Sequence, residues 1–187
     1  MRSTPRRAAW PLRPERCPCD LDFVDYLRAR RITDKTIFHF GTGAHHVVGR
    51  ANHRDRANHV LAITASPDEH AAYIELVLGD PEVATKYQVL FADIYCLDPD
   101  LLPALDVVTL FHLHEFYRPE HAAYARFDDR SLLAMLCGRL RDEGRVLFYR
   151  GSDGFPATKR TIADAVDRAL LRPLEQWGSL LVYGRPS

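Results

Sequence analysis

Five short apolar runs punctuate the chain, most of them separated by enough residues for a helix. This alternation limits the fold more than any other feature. The runs are "TIFHF" at 36–40, "HVLAIT" at 59–64, "YQVLFADI" at 87–94, "DVVTLFHL" at 106–113 and "RVLFYR" at 145–150. Their β-branched and aromatic content marks them as strands. Their near-continuous apolarity fits strands covered on both faces. The intervening segments carry helical signals. "DLDFVDYLRARR" at 20–31 sets Leu21, Phe23, Val24 and Leu27 on one stripe, with Asp20 able to cap the start. "SPDEHAAYIELVLG" opens with Ser66 as N-cap and Pro67 at the first helical position; Glu69 completes a capping box and Gly79 closes the helix. Residues 130–144, closed by Gly144, and 157–172 read as two more helices. Residues 44–58 are polar, contain Gly49 and support at most a short helix; 178–185 reads as one last strand. The expected fold class is α/β: a doubly wound, mostly parallel sheet with helices on both faces, in a single domain over 20–187.

The chain has 187 residues, enough to bury a core. Its formal net charge of zero argues against a nucleic-acid partner. No apolar run approaches the roughly 20 residues that span a bilayer, so no membrane role is expected. Residues 1–19 hold five arginines and one glutamate, lack the apolar stretch of a secretory signal, and read as a loosely ordered N-terminal arm. Cys96 and Cys137 read as small hydrophobes. Cys17 and Cys19 are too close in sequence for an ordinary disulfide and have no matching pair at zinc-site spacing, so no metal is assigned to them. Nothing demands an oxidising compartment, and the cytoplasm is the expected location.

In an open α/β sheet, ligands lie at the carboxyl ends of the strands, beside the switch point. Gly41 and Gly43 follow the first strand there and let the backbone turn sharply and approach a ligand. Backbone N–H groups left free at such a turn suit a carboxylate. Asp93 ends the third strand, where a carboxylate can accept a hydrogen bond from an exocyclic amine.

Four stretches in order, "FHFGTGAH", "LAITASPDEHAAY", "LFADIYCLDP" and "LDVVTLFHLHEF" followed by "LLAMLCGRLRDEGRVLFY", resemble the class I S-adenosylmethionine-dependent methyltransferases, a Rossmann-like family. The resemblance spans roughly residues 20–185. It implies S-adenosyl-L-methionine as cofactor, held by His39, Gly41, Thr42, Gly43, Thr64, Ser66, Asp93, Ile94 and His112. It also implies methyl transfer to a small-molecule substrate. The chain departs from the pattern in four places, one of them the poor helix after the glycines. Thr64 stands where the family has an acid for the ribose, His39 replaces the usual acid ending the first strand, and one terminal strand is legible where the family has a hairpin. No Asn/Asp-Pro-Pro-Tyr type sequence follows the fourth strand, which argues against amino methylation of nucleobases or glutamine.

The histidines are the other concentration of chemistry. His39, His45 and His46 end the first strand and His112 and His114 the fourth, and those strands are expected to be neighbours. By the period of two, His112 and His114 share one strand face. His114 or Glu115 is the candidate general base, since an imidazole titrates near neutral pH. Two other readings stay open. One is a non-catalytic, methyltransferase-like binding or regulatory partner. The other is a metal-dependent enzyme using His39, His45, His46, His112 and His114. A homodimer or a protein partner is compatible with all three.

Overall fold

A computed structural model describes residues 9–55 and 57–186. Seven strands form one sheet: β1 (Thr36–Phe40), β2 (His59–Thr64), β3 (Tyr87–Phe91), β4 (Leu105–Thr109), β5 (Leu140–Tyr149), β6 (Arg172–Trp177) and β7 (Leu180–Gly184). Their order is β3-β2-β1-β4-β5-β7-β6. The first five run parallel; β7 is antiparallel to both β5 and β6. The order reverses between β1 and β4, so the loops leaving these two strands diverge and open a crevice at their carboxyl ends.

Both faces are covered, which is why the strands read as unbroken apolar runs. α1 (Cys19–Ala29), α2 (Val47–Asp55) and α3 (Pro67–Gly79) lie on one face, where Phe23, Val48 and Tyr73 meet Ile37, Val60 and Val107. α4 (Asp129–Arg139) and α5 (Phe155–Asp167) lie on the other, where Leu132, Leu136 and Ile162 meet Phe38, Val108 and Phe148. Adjacent residues such as Ile37 and Phe38, or Val107 and Val108, divide between the two cores by the period of two.

β1 and β2 have the expected bounds, and Ser66 caps α3 by accepting the Glu69 N–H at 3.3 Å. Several expectations need correction. The third strand, expected to reach Ile94, stops at Phe91, because Ile94–Cys96 form a 3-10 turn capped by Asp93. The fourth strand stops at Thr109, because residues 111–115 form turns while Leu110, Phe111 and Leu113 remain buried. The helix expected to reach Gly144 ends at Arg139, because Leu140 turns extended and pairs with Leu105. The helix expected to reach residue 172 ends at Asp167. Residues 172–177 form β6 instead, so the chain has a terminal hairpin where a single strand is expected; its Pro173 sits on an edge strand, where a missing N–H is tolerated. Asp20 does not cap α1: it lies within the first turn and is buried.

Candidate functional site

The glycine turn is built as the sequence suggested. Gly41 and Gly43 take φ of 88° and 54°, left-handed values that favour glycine. A Cβ on Gly41 would meet nothing within 4 Å. The turn sits at the carboxyl end of β1, held by the Gly41 N–H donating to the Ile63 carbonyl at 3.1 Å.

The next strand end carries an acid after all. Thr64 donates its hydroxyl to Glu69 Oε2 at 2.6 Å, and Thr42 donates to the same oxygen at 3.4 Å. Glu69 is buried, and burial raises its pKa against the lowering pull of the Thr64 bond. The first turn of α3 thus places a buried carboxylate beside the end of β2. Sequence reasoning had assigned Glu69 only to capping. At the end of β3, Asp93 Oδ1 accepts the Tyr95 N–H at 3.0 Å, and Asp93 Oδ2 lies 3.3 Å from His121 Nε2. Ile94 is buried behind it.

Residues 9–18 lie across these strand ends. The Trp10 carbonyl accepts the Ala44 N–H at 2.9 Å, and the Trp10 N–H donates to Glu69 Oε1 at 3.4 Å. The Tyr149 hydroxyl, at the end of β5, donates to the Arg16 carbonyl at 3.0 Å. Cys17 then reaches His112, 95 residues away in sequence. The described part of the expected loose arm is therefore docked; residues 1–8 lie outside the described residues.

The five histidines do not converge, which corrects the shared-face reading. His46 is buried at a left-handed φ of 46°, with Nδ1 2.8 Å from the Tyr87 hydroxyl and Nε2 2.9 Å from the Glu69 carbonyl. Burial lowers its pKa to about 4. His114, at φ 69°, turns toward α4 and α5: Nδ1 is 3.2 Å from Asp129 Oδ2 and Nε2 is 2.7 Å from Thr161 Oγ1. With the chain in turns rather than strand here, period two no longer applies. The metal reading drew on a subset of these five histidines, and among the described residues no three of them come close enough together to hold an ion.

The remaining three face residues that sequence reasoning passed over. His39 Nδ1 is 2.7 Å from Thr109 Oγ1, joining β1 to β4. Its Nε2 lies 3.7 Å from Asp20 Oδ1, as His45 Nε2 does from Asp20 Oδ2. Burial drives the His39 pKa down to about 3 and raises that of Asp20 to about 7. The thiols of Cys17 and Cys19 are 3.3 Å apart. Their mutual bond is the main influence on both, lowering the pKa of Cys17 and raising that of Cys19. Burial opposes charge on His112, but bonds to Cys17 and Glu115 outweigh it and lift the pKa to about 10. Glu115 also accepts from the Ser152 hydroxyl; despite burial, these partners lower its pKa. The cysteine pair is local in the sequence but its partner is not, because Cys17 and His112 meet only through the order of the sheet.

No protein-family model and no curated protein matches the chain. Solved structures do. The precorrin-6y C5,15-methyltransferase from Geobacter metallireducens GS-15 matches with a TM-score of 0.63 at 12% identity, over 95% of this chain and 94% of its own. An O-methyltransferase family protein from Burkholderia thailandensis matches at 0.61 and 15% identity, over 89% of this chain. The fold is that of the class I methyltransferases. Magnesium protoporphyrin IX methyltransferase from Synechocystis PCC 6803, with bound S-adenosylmethionine, also matches at 0.61 and 11% identity, over 90% of this chain and 79% of its own. The chain spans 55% of the length of the Burkholderia methyltransferase. Among the described residues, no helix of this methyltransferase fold is long and apolar enough to cross a membrane.

Proposed function

We propose that the chain transfers a methyl group from S-adenosylmethionine to a small molecule. The observation that carries this reading is the acid at the end of β2. Glu69, coupled to Thr64 at 2.6 Å, restores a carboxylate between the glycine turn and Asp93, on the three adjacent strand ends of a methyltransferase fold. The residues present fit the cofactor. The amides of Thr42 and Gly43 suit its carboxylate, Asp93 suits its adenine amine, and Glu69 with Thr64 suits its ribose hydroxyls once the Trp10 segment, which now covers Glu69, moves aside. Ser66 contributes by anchoring α3, and Ile94 by walling the adenine side. His39 underlies the turn and ties β1 to β4.

When bound, the cofactor supplies a methyl group from its sulfonium in an in-line displacement: the carbon–sulfur bond breaks as a bond to the acceptor's oxygen, nitrogen or sulfur forms. Holding the acceptor in line and excluding water supplies most of the acceleration. Of the two expected bases, Glu115 is the better placed, because His114 has both ring nitrogens engaged. Glu115, kept ionised by His112 and Ser152, accepts the proton that the acceptor loses. His112 orients it from 3.1 Å.

Calorimetric titration with S-adenosylmethionine and S-adenosylhomocysteine tests this. The expected result is micromolar binding, weakened at least about tenfold by Gly41→Ala, which puts a methyl group into space the protein leaves empty. No binding up to millimolar ligand would sink the reading. A second reading then takes over, favoured by a specific observation: Glu69 and Asp93 already accept hydrogen bonds from the chain itself. It makes the protein a non-catalytic binding or regulatory partner with a methyltransferase fold.

A further inference from the structure

We propose that Cys17, Cys19 and His112 form a binding site for one zinc-class ion, held by two thiolates and an imidazole. Their ligand atoms all lie within 4.8 Å of one another. The sulfurs are 3.3 Å apart, and Cys17 Sγ is 3.7 Å from His112 Nε2. With zinc–sulfur bonds of about 2.3 Å and zinc–nitrogen bonds of about 2.0 Å, tetrahedral angles set the corresponding edges at about 3.8 Å and about 3.5 Å. Small side-chain adjustments bring the observed triangle to that size. Two sulfurs select a soft ion such as Zn²⁺ over Mg²⁺ or Ca²⁺.

Two further observations point to an ion. His112 Nδ1 lies 3.1 Å from Glu115 Oε1, leaving Nε2 toward the thiols. A carboxylate behind the imidazole is the arrangement that orients a metal-bound histidine and fixes its tautomer. Ser152 in turn donates to Glu115. Next to the thiols, Asp20 is buried, and its contacts are long: 3.8 Å to Cys19 Sγ and 3.7 Å each to His39 Nε2 and His45 Nε2. His39 Nε2 is fully buried and has no hydrogen-bond partner among the described residues. A buried carboxylate so loosely held is costly, and a dication beside it offsets its charge. Three protein ligands leave a fourth position to water or to Asp20. The ion would fasten the segment before α1 to the loop after β4.

This inference stands apart from the methyl-transfer reading, because its test reads the metal directly. The full chain is stripped with a chelator under reducing conditions and titrated with Co²⁺. One Co²⁺ per chain is expected, with the visible absorption of a tetrahedral site and a sulfur-to-metal charge-transfer band, both bleached by Zn²⁺. Cys17→Ser and His112→Gln each weaken binding by about 100-fold or more, and Glu115→Gln by about 10- to 100-fold. Cys96→Ser, at an exposed thiol, changes nothing. An octahedral spectrum, substoichiometric uptake, or unchanged binding in Cys17→Ser overturns the proposal. Should His112→Gln not fold, the half-buried Cys17 decides alone, its fold checked by circular dichroism without metal.

Discussion

His46 carries a pH dependence that can be worked out from its surroundings. Tyr87, Tyr73 and the Glu69 carbonyl enclose its ring, while His45, His70 and Arg50 add positive charge that further disfavours protonation. The folded pKa of about 4 lies below the ordinary 6.5, so the unfolded chain binds the proton first. Stability is therefore complete above pH about 6.5 and is lost as pH falls toward 4. His39, lowered to about 3 by burial, acts in the same direction. Asp20, raised to about 7, pulls the other way as pH falls, but the two histidines outweigh it, so urea midpoints measured from pH 7.5 to 4.5 should fall, and His46→Asn should flatten part of that fall. Asparagine tolerates the left-handed backbone but has no imidazole to titrate. Little of this was legible beforehand: "AHH" shows two adjacent histidines, and only the left-handed turn sends His46 inward to Tyr87 while His45 faces Asp20.

α2 shows how an element can look weak in sequence and still be fixed. Gly49 lowers helix propensity, yet a Cβ there would lie 2.2 Å from the ring of Tyr87, which is fully buried. The glycine lets α2 approach β3. Gly49→Ala gains about 1 kcal/mol of propensity but overpacks a rigid contact, which typically costs about 1–3 kcal/mol. The expected net result is a lower urea midpoint; an unchanged or higher one would show that the ring can yield. The same distinction explains which elements were readable. β1 and β2 were found to the residue because their apolarity and their conformation coincide. β4 was overextended because Leu110, Phe111 and Leu113 report burial, and burial does not require a strand. β6 was missed because an exposed edge strand, "RPLEQW", has no apolar pattern to read.

At the scale of the whole molecule, the doubly wound sheet was legible and the closure of its carboxyl edge was not. Strand order follows from alternation, whereas the path of residues 9–18 rests on partners on β5, on α3 and in the loops after β1 and β4. Few bonds hold that segment, so it should open on its own well below the free energy of global unfolding. Hydrogen exchange should find the Ala44 amide, which donates to Trp10, less protected than the amides of β1. Trypsin should cut after the exposed Arg16 before it reaches the sheet, since Arg13 precedes Pro14 and resists it, and Zn²⁺ should slow that cleavage. The segment's reach also has a consequence for synthesis. Its partners His112 and Tyr149 stand 95 and 133 residues downstream of Cys17 and Arg16. A nascent chain therefore carries its cysteine pair unsheltered until β5 has left the ribosome, and chains truncated before that point should be the ones most open to thiol oxidation.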